Sequence, residues 1–204
     1  IEEIFEKVAL SHSYTGVIPF ENSYQGVINS SLNGLIDYDL KITKEFNFKI
    51  IHSFCSANAN TESVNKIASH PQVFGQCNKW IRQNYPNAEK IICTSTADAA
   101  KLAKADQSVY CIANNYALNL FALNLHQSDI QDSPNNTTRF LVIGKMIEDK
   151  GLINKTSVMI NLNDRPGSLL EILQPFNKLG INMTRIETRP SRNNEYQHTF
   201  FIDF

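Results

Sequence analysis

Asn135-Asn136-Thr137-Thr138-Arg139-Phe140 gathers amides, hydroxyls and a guanidinium into six positions. It runs without a break into Leu141-Val142-Ile143-Gly144, which reads as a buried strand. The mouth of a strand is where α/β proteins place side chains that act on ligands. A hydroxyl donor beside a guanidinium suits a substrate that carries carboxylates and must lose a hydroxyl. The plainer reading is an Asn-Asn turn leading into threonines of high strand propensity. The six residues by themselves leave both readings open.

Other segments carry related chemistry. Glu21-Asn22-Ser23 follows the apolar run Tyr14–Phe20, so Asn22, which both donates and accepts, stands at a second strand edge. A turn after Pro19 explains it equally well. Ser69-His70-Pro71-Gln72 opens a helix, where free N–H groups and the helix dipole favour a carboxylate. Gln76 lies one turn beyond Gln72, at the edge of the apolar stripe Val73, Phe74, Cys77, Trp80 and Ile81. Solvated glutamines on a capped helix, with His70 structural, are the alternative. Thr94-Ser95-Thr96-Ala97-Asp98 reads as a helix start capped by Ser95, with Asp98 reaching back. It is also a second anion-friendly helix start. Asp164-Arg165-Pro166-Gly167 places a proline at a first helical turn, and Pro190 closes a strand at Glu187-Thr188-Arg189.

The elements that must position these groups follow from periodicity. Helices are expected over 1–9, 27–36, from 71 onward, 97–105, 114–120 and 166–179. Strands are expected over 14–20, in one or two pieces over 40–57, and over 66–68, 90–93, 109–112, 156–162, 182–188 and 196–204, with a polar loop at 21–26. Alternating strands and helices imply an α/β fold with a largely parallel sheet. The charged stretch Glu148–Lys155 reads as a linker, and the β-α-β-β order beyond it opens a ferredoxin-like unit.

Composition narrows the function classes. The chain has 204 residues and a formal net charge of -1, with no basic stripe to hold nucleic acid. No apolar run approaches a membrane span, and there is no signal-peptide pattern after Ile1, so a cytoplasmic location is expected. Cys55, Cys77, Cys93 and Cys111 are far apart in apolar contexts, as buried free thiols in a reducing compartment would be. The five histidines show neither HExxH nor a Cys/His cluster, so no metal site is expected.

Taken in order, several segments resemble the prephenate dehydratases. They are Gly16-Val17-Ile18-Pro19-Phe20-Glu21-Asn22-Ser23, Ser69-His70-Pro71-Gln72 with Gln76-Cys77, Ser95-Thr96-Ala97-Asp98-Ala99-Ala100 and Asn136-Thr137-Thr138-Arg139-Phe140. The tail resembles the regulatory ACT domain of the same family. Gly167-Ser168-Leu169-Leu170 stands where the family has Gly-Ala-Leu-Val, and Glu187-Thr188-Arg189-Pro190 where it has Glu-Ser-Arg-Pro.

The resemblance implies a two-lobed, periplasmic-binding-protein-like catalytic domain over 1–149, with one lobe near 1–56 and 131–149 and the other near 57–130. It implies a ferredoxin-like (βαββαβ) ACT domain over 150–204. The family's first strand–helix unit would precede Ile1, and the last helix and strand of the ACT domain would follow Phe204.

The implied reaction removes carbon dioxide and water from prephenate to give phenylpyruvate for phenylalanine biosynthesis, with no cofactor. Thr138, Arg139 and Phe140 would form the catalytic segment. Thr138 would hydrogen-bond the leaving hydroxyl, Arg139 would hold a carboxylate or orient the loop, and Phe140 would pack the pocket floor. Glu21, Asn22, Ser69, Gln76, Ser95 and Thr96 would bind substrate. L-phenylalanine would inhibit by binding between paired ACT domains of a homodimer or homotetramer. Its contacts would come from Gly167, Ser168, Leu169, Leu170, Asn182, Glu187, Thr188, Arg189 and Pro190. Arogenate dehydratase and a non-catalytic amino-acid-binding protein are the alternatives. A chorismate mutase domain ahead of Ile1 is a further arrangement that the resemblance admits.

Overall fold

Val109–Ala113 is buried at every position, the mark of a strand covered on both faces. In a computed structural model of the chain, describing residues 1–146, 154–190 and 197–204, this segment is the centre of one of two sheets in the larger of two units, Ile1–Lys145. The smaller unit is Met146–Phe204. The expected division at 149/150 and most of the linker at 148–155 fall outside the described residues.

In chain order the larger unit contains α1 (Glu2–Ala9), β1 (Thr15–Asn22), β2 (Gly26–Val27), α2 (Asn29–Asp37), β3 (Lys41–Lys49), β4 (Ser53–Ser56) and β5 (Lys66–Ser69). It continues with α3 (Pro71–Gln76), α4 (Asn78–Asn84), β6 (Glu89–Ile92), α5 (Thr96–Ala105), β7 (Val109–Ala113), α6 (Asn115–Leu120), β8 (Asn124–Gln127) and β9 (Thr137–Gly144). The smaller unit contains β10 (Ser157–Asn163), α7 (Ser168–Lys178), β11 (Arg185–Pro190) and β12 (Gln197–Asp203).

One sheet has the order β6-β5-β7-β4-β8. Strand alternation sends Val109, Cys111 and Ala113 to one face, against Ala99, Ala100 and Ala103 of α5. Tyr110 and Ile112 go to the other face, against Val73, Phe74, Cys77 and Ile81. Small residues on the α5 side let that helix approach closely. Aromatics fill the opposite side, where Phe54 stacks on Tyr110 at 5.4 Å and meets Trp80 at 5.1 Å.

The second sheet has the order β2-β1-β9-β3. Its buried face carries Ile18, Leu141 and Ile143, and α1 contributes Phe5 and Val8 to the same core. Gly34 of α2 is required by that packing, because a Cβ there would collide with the Phe5 ring.

The mixed α/β architecture agrees with expectation, but the largely parallel sheet does not. Only β5-β6 and β5-β7 are parallel; the other pairings in this unit are antiparallel. The expectation assumed that each strand is followed by a helix crossing over to its parallel neighbour. Here β9 returns from the end of the unit to lie antiparallel between β1 and β3. β1 also runs two residues further than expected, so Glu21 and Asn22 are strand residues, and β2 pairs with them as a short hairpin. The helix expected over 27–36 therefore starts at Asn29. The single helix expected after Pro71 breaks at Cys77, and β8 was not expected. Cys55, Cys77 and Cys111 are buried free thiols, while Cys93 is partly exposed. Among the described residues no helix is long and apolar enough to cross a membrane.

The smaller unit has the sheet order β10-β12-β11, all antiparallel, with the expected β-α-β-β sequence. Its helix begins at Ser168 rather than Pro166. Gly167 precedes it at φ 88°, a left-handed conformation that cannot belong to a right-handed helix. The strand expected over 182–188 begins instead at Arg185 and extends to Pro190.

Candidate active site

A break in strand register builds the site. Ile18 pairs with Leu141 and Pro19 with Phe140, but Asn22 pairs with Thr138, with the shift falling between Pro19 and Glu21. Pro19 and Asn22 are three apart, yet both oppose residues on one face of β9. Without the bulge, period-2 alternation would send Asn22 to the opposite face. The bulge thus turns Asn22 beside Thr138.

Backbone groups then fix the direction of the hydrogen bonds. Asn22 Oδ1 accepts from the N–H groups of Tyr24 (2.9 Å) and Gln25 (3.1 Å). The amide nitrogen must therefore face the other way. Asn22 Nδ2 donates to Thr138 Oγ1 at 2.9 Å and to Asn136 Oδ1 at 3.0 Å. Asn136 then presents its nitrogen to Gln76, donating to Oε1 at 3.2 Å. His52 Nε2 lies 2.6 Å from that same oxygen. All five side chains are buried, between 2% and 8% exposed, so these bonds form out of bulk water.

The chemical consequence lies at Thr138. A hydroxyl has one proton and two lone pairs. Because Asn22 can only donate, Thr138 accepts from it, and its own proton is left for another acceptor. Gln76 behaves similarly: with Oε1 taken by two donors, its Nε2 hydrogens are the part left for a ligand. The five side chains carry no formal charge while His52 is neutral, and burial pulls its pKa below the ordinary histidine range despite the Gln76 hydrogen bond.

Supporting contacts hold this network in place. Ser23 accepts from the Thr137 N–H at 3.0 Å and donates to the Asn135 carbonyl at 2.9 Å. The Asp132 N–H donates to the Gln76 carbonyl at 2.7 Å. The Asp132 carboxylate accepts from the Lys79 and Trp80 N–H groups where α4 begins. The Gln131 side chain accepts from the His52 N–H at 3.0 Å.

Of the residues expected to act together, the structure joins Thr138, Asn22 and Gln76. Glu21 stands opposite Arg139 in the register, next to this network. Arg139 is adjacent to Thr138 in sequence but projects from the other face of β9, so hydroxyl and guanidinium do not act side by side. Arg139 Nε donates to Glu45 at 2.7 Å, and its guanidinium lies 5.2 Å from the Phe20 ring. Phe140 shares the Thr138 face and stacks on Phe46 at 5.4 Å. Ser69 is fully buried and donates to the Ile112 carbonyl at 2.7 Å. Ser95 caps α5, accepting from the Asp98 N–H at 3.0 Å and donating to its carboxylate at 2.8 Å. Thr94 also donates to that carboxylate, so an anion already sits at the helix start where Ser95 and Thr96 were expected to bind one. His70 caps α3 through Nδ1.

His52 and Asn136 were missed as site residues. The sequence held a signal for each: a histidine within the apolar Ile50-Ile51-His52-Ser53-Phe54, and an amide at a buried strand entry. Buried polar groups need partners, and these two are each other's neighbours through Gln76.

In the smaller unit, the Ser168 hydroxyl donates to the Asn163 carbonyl at 2.9 Å, just after Gly167. Leu169, Leu170 and Asn182 are exposed, and Glu187, Thr188, Arg189 and Pro190 complete β11.

Elsewhere, burial and Asp132 push the Cys77 thiol up to about 12, which leaves no thiolate nucleophile there. Among the described residues, no group of three or more His, Cys, Asp or Glu is placed to hold a metal ion.

A family model described as Prephenate dehydratase matches residues 1–148, and one described as ACT domain matches residues 156–204. A bifunctional chorismate mutase/prephenate dehydratase of Pseudomonas aeruginosa is 38% identical over 205 residues, which cover 100% of this chain and 56% of that protein. A prephenate dehydratase of Methanocaldococcus jannaschii is 32% identical, covering 100% of this chain and 75% of that protein. A crystal structure of prephenate dehydratase from Arthrobacter aurescens in complex with L-Phe superposes with a TM-score of 0.85 at 27% identity. It covers 100% of this chain and 70% of its own. The chain thus spans little more than half the length of the bifunctional relative.

Proposed function

This chain belongs to the prephenate dehydratase family and carries an ACT domain, and from that premise we propose that it converts prephenate to phenylpyruvate, with loss of carbon dioxide and the ring hydroxyl. The observation that carries the proposal is the direction of the Asn22–Thr138 hydrogen bond, which leaves the Thr138 proton to donate.

The substrate loses its ring carboxylate as carbon dioxide. The bonding electron pair enters the ring, and the carbon–oxygen bond opposite breaks with departure of hydroxide. Hydroxide is a poor leaving group, so a donor aimed at the developing charge lowers the barrier. A threonine hydroxyl is too weak an acid to surrender its proton fully. Thr138 therefore stabilises the departing oxygen by hydrogen bonding, in a buried setting where such a bond is strong. The amide Nε2 of Gln76 supplies a second donor to the substrate. The neutral network suits decarboxylation, because a cation gripping the leaving carboxylate would oppose the flow of its charge into the ring. Arg139, paired with Glu45, orients the strand rather than gripping substrate.

The smaller unit supports a regulatory reading. A relative has been crystallised with L-Phe, and we assign phenylalanine binding here to Gly167–Leu170, Asn182 and Glu187–Pro190 of paired ACT domains.

Incubating the intact protein with prephenate and following phenylpyruvate tests the activity. Absence of turnover with both prephenate and arogenate would overturn it, and a higher rate on arogenate would reassign the substrate.

A further inference from the structure

We infer that His52 is a positioning residue for this reaction: its Nε2–H clamps the Gln76 side-chain oxygen and so aims the Gln76 amide nitrogen at the substrate. The inference rests on the reading of Gln76 as a second donor to the substrate beside Thr138.

Because backbone N–H groups fix Asn22, and Asn22 fixes Asn136, the atom of Gln76 facing His52 is an oxygen. His52 Nε2 must therefore carry a proton. Of the two bonds to Gln76 Oε1, the one from His52 is the shorter, 2.6 Å against 3.2 Å from Asn136. Gln76 has three side-chain torsions, and with the longer bond alone its amide has lost its closer hold. The Nε2 hydrogens of Gln76 would then lose their fixed direction, while Asn22 and Thr138 stay held from the Tyr24 and Gln25 N–H groups. The backbone that carries the ring is fixed at both of its polar groups. The His52 N–H is bound to Gln131, and its carbonyl accepts from the Ile130 N–H at 3.1 Å. Nδ1 is buried without a partner among the described residues, so the ring engages the network through Nε2 alone.

The test compares prephenate turnover by the intact wild-type protein with Gln76→Leu, His52→Leu, His52→Gln and the double variant Gln76→Leu/His52→Leu. A glutamine places its amide nitrogen near the position of the histidine Nε2. Misplacement of reacting groups costs about ten- to a hundredfold, so His52→Leu should lose that much in kcat with KM changed less, and His52→Gln should recover most of it. If His52 acts through Gln76, the double variant should be no slower than Gln76→Leu alone. Wild-type kcat in His52→Leu, or losses that multiply in full in the double variant, would overturn the inference. Wild-type turnover by Gln76→Leu would instead overturn the underlying reading. Should His52→Leu fail to fold, the tautomer decides, read from the 15N shifts of the His52 ring in the wild-type protein. A proton on Nε2 is expected; a neutral ring protonated on Nδ1 would refute the clamp.

Discussion

The N–H groups of Tyr24 and Gln25 set the direction of the hydrogen bonds from Asn22 to His52. Asn22 is the pivot, since its amide gives one hydrogen to Thr138 and one to Asn136. Asn22→Asp therefore predicts a specific failure. A carboxylate cannot donate, so Thr138 must turn its proton inward to the new acceptor, and kcat should fall about a hundredfold. A mere loss of affinity, with kcat intact, would contradict this account. His52 gives a prediction in pH. Burial holds its pKa below the ordinary value of 6.5, so the unfolded chain takes the proton more readily. Stability is full above that value and falls as pH drops through the lowered pKa. His52→Gln should flatten part of this acid limb in denaturant unfolding. His126, whose pKa burial also lowers, contributes equally to both proteins. Identical pH slopes would show that His52 does not titrate in this way. Thr138, Asn22 and Gln76 could be picked out in the sequence because each is a polar residue beside an apolar run. The direction of their bonds could not, because it depends on two backbone groups and a bulge.

At the scale of elements, the bulge in β1 does what no residue does alone, bringing Asn22 to the face of β9 that carries Thr138. Most helices and strands were legible from periodicity, since burial of one face leaves a repeat in the chain. The antiparallel return of β9 was not, because pairing over more than a hundred residues leaves no local trace. The break at Cys77 was hidden too: the apolar stripe runs on across it, while the Asp132 carboxylate that meets the start of α4 lies far away in sequence. Two substitutions separate architecture from chemistry. Ser95→Ala removes the α5 cap and should cost about 1 kcal/mol of unfolding free energy, with KM for prephenate unchanged. A raised KM without loss of stability would return Ser95 to the binding site. Gly34→Ala forces a methyl group into the Phe5 ring and should destabilise by about 1–3 kcal/mol, measured by denaturant unfolding. A neutral result would mean that α1 and α2 separate at little cost.

At the scale of the whole molecule, a family catalytic region and an ACT region lie on one chain. If phenylalanine binds the ACT region and inhibits, coupling of the usual size, about 1–3 kcal/mol, should weaken prephenate binding by roughly 5- to 150-fold. Titrating phenylalanine into the intact protein while following prephenate affinity reads this directly, and an unchanged affinity would remove the regulatory assignment. The central claim concerns one proton. Thr138→Val keeps the shape of the side chain and removes that proton, while Thr138→Ser keeps it. The kcat for prephenate should fall about a hundredfold or more in Thr138→Val and stay much closer to wild type in Thr138→Ser. Wild-type turnover by Thr138→Val would contradict it.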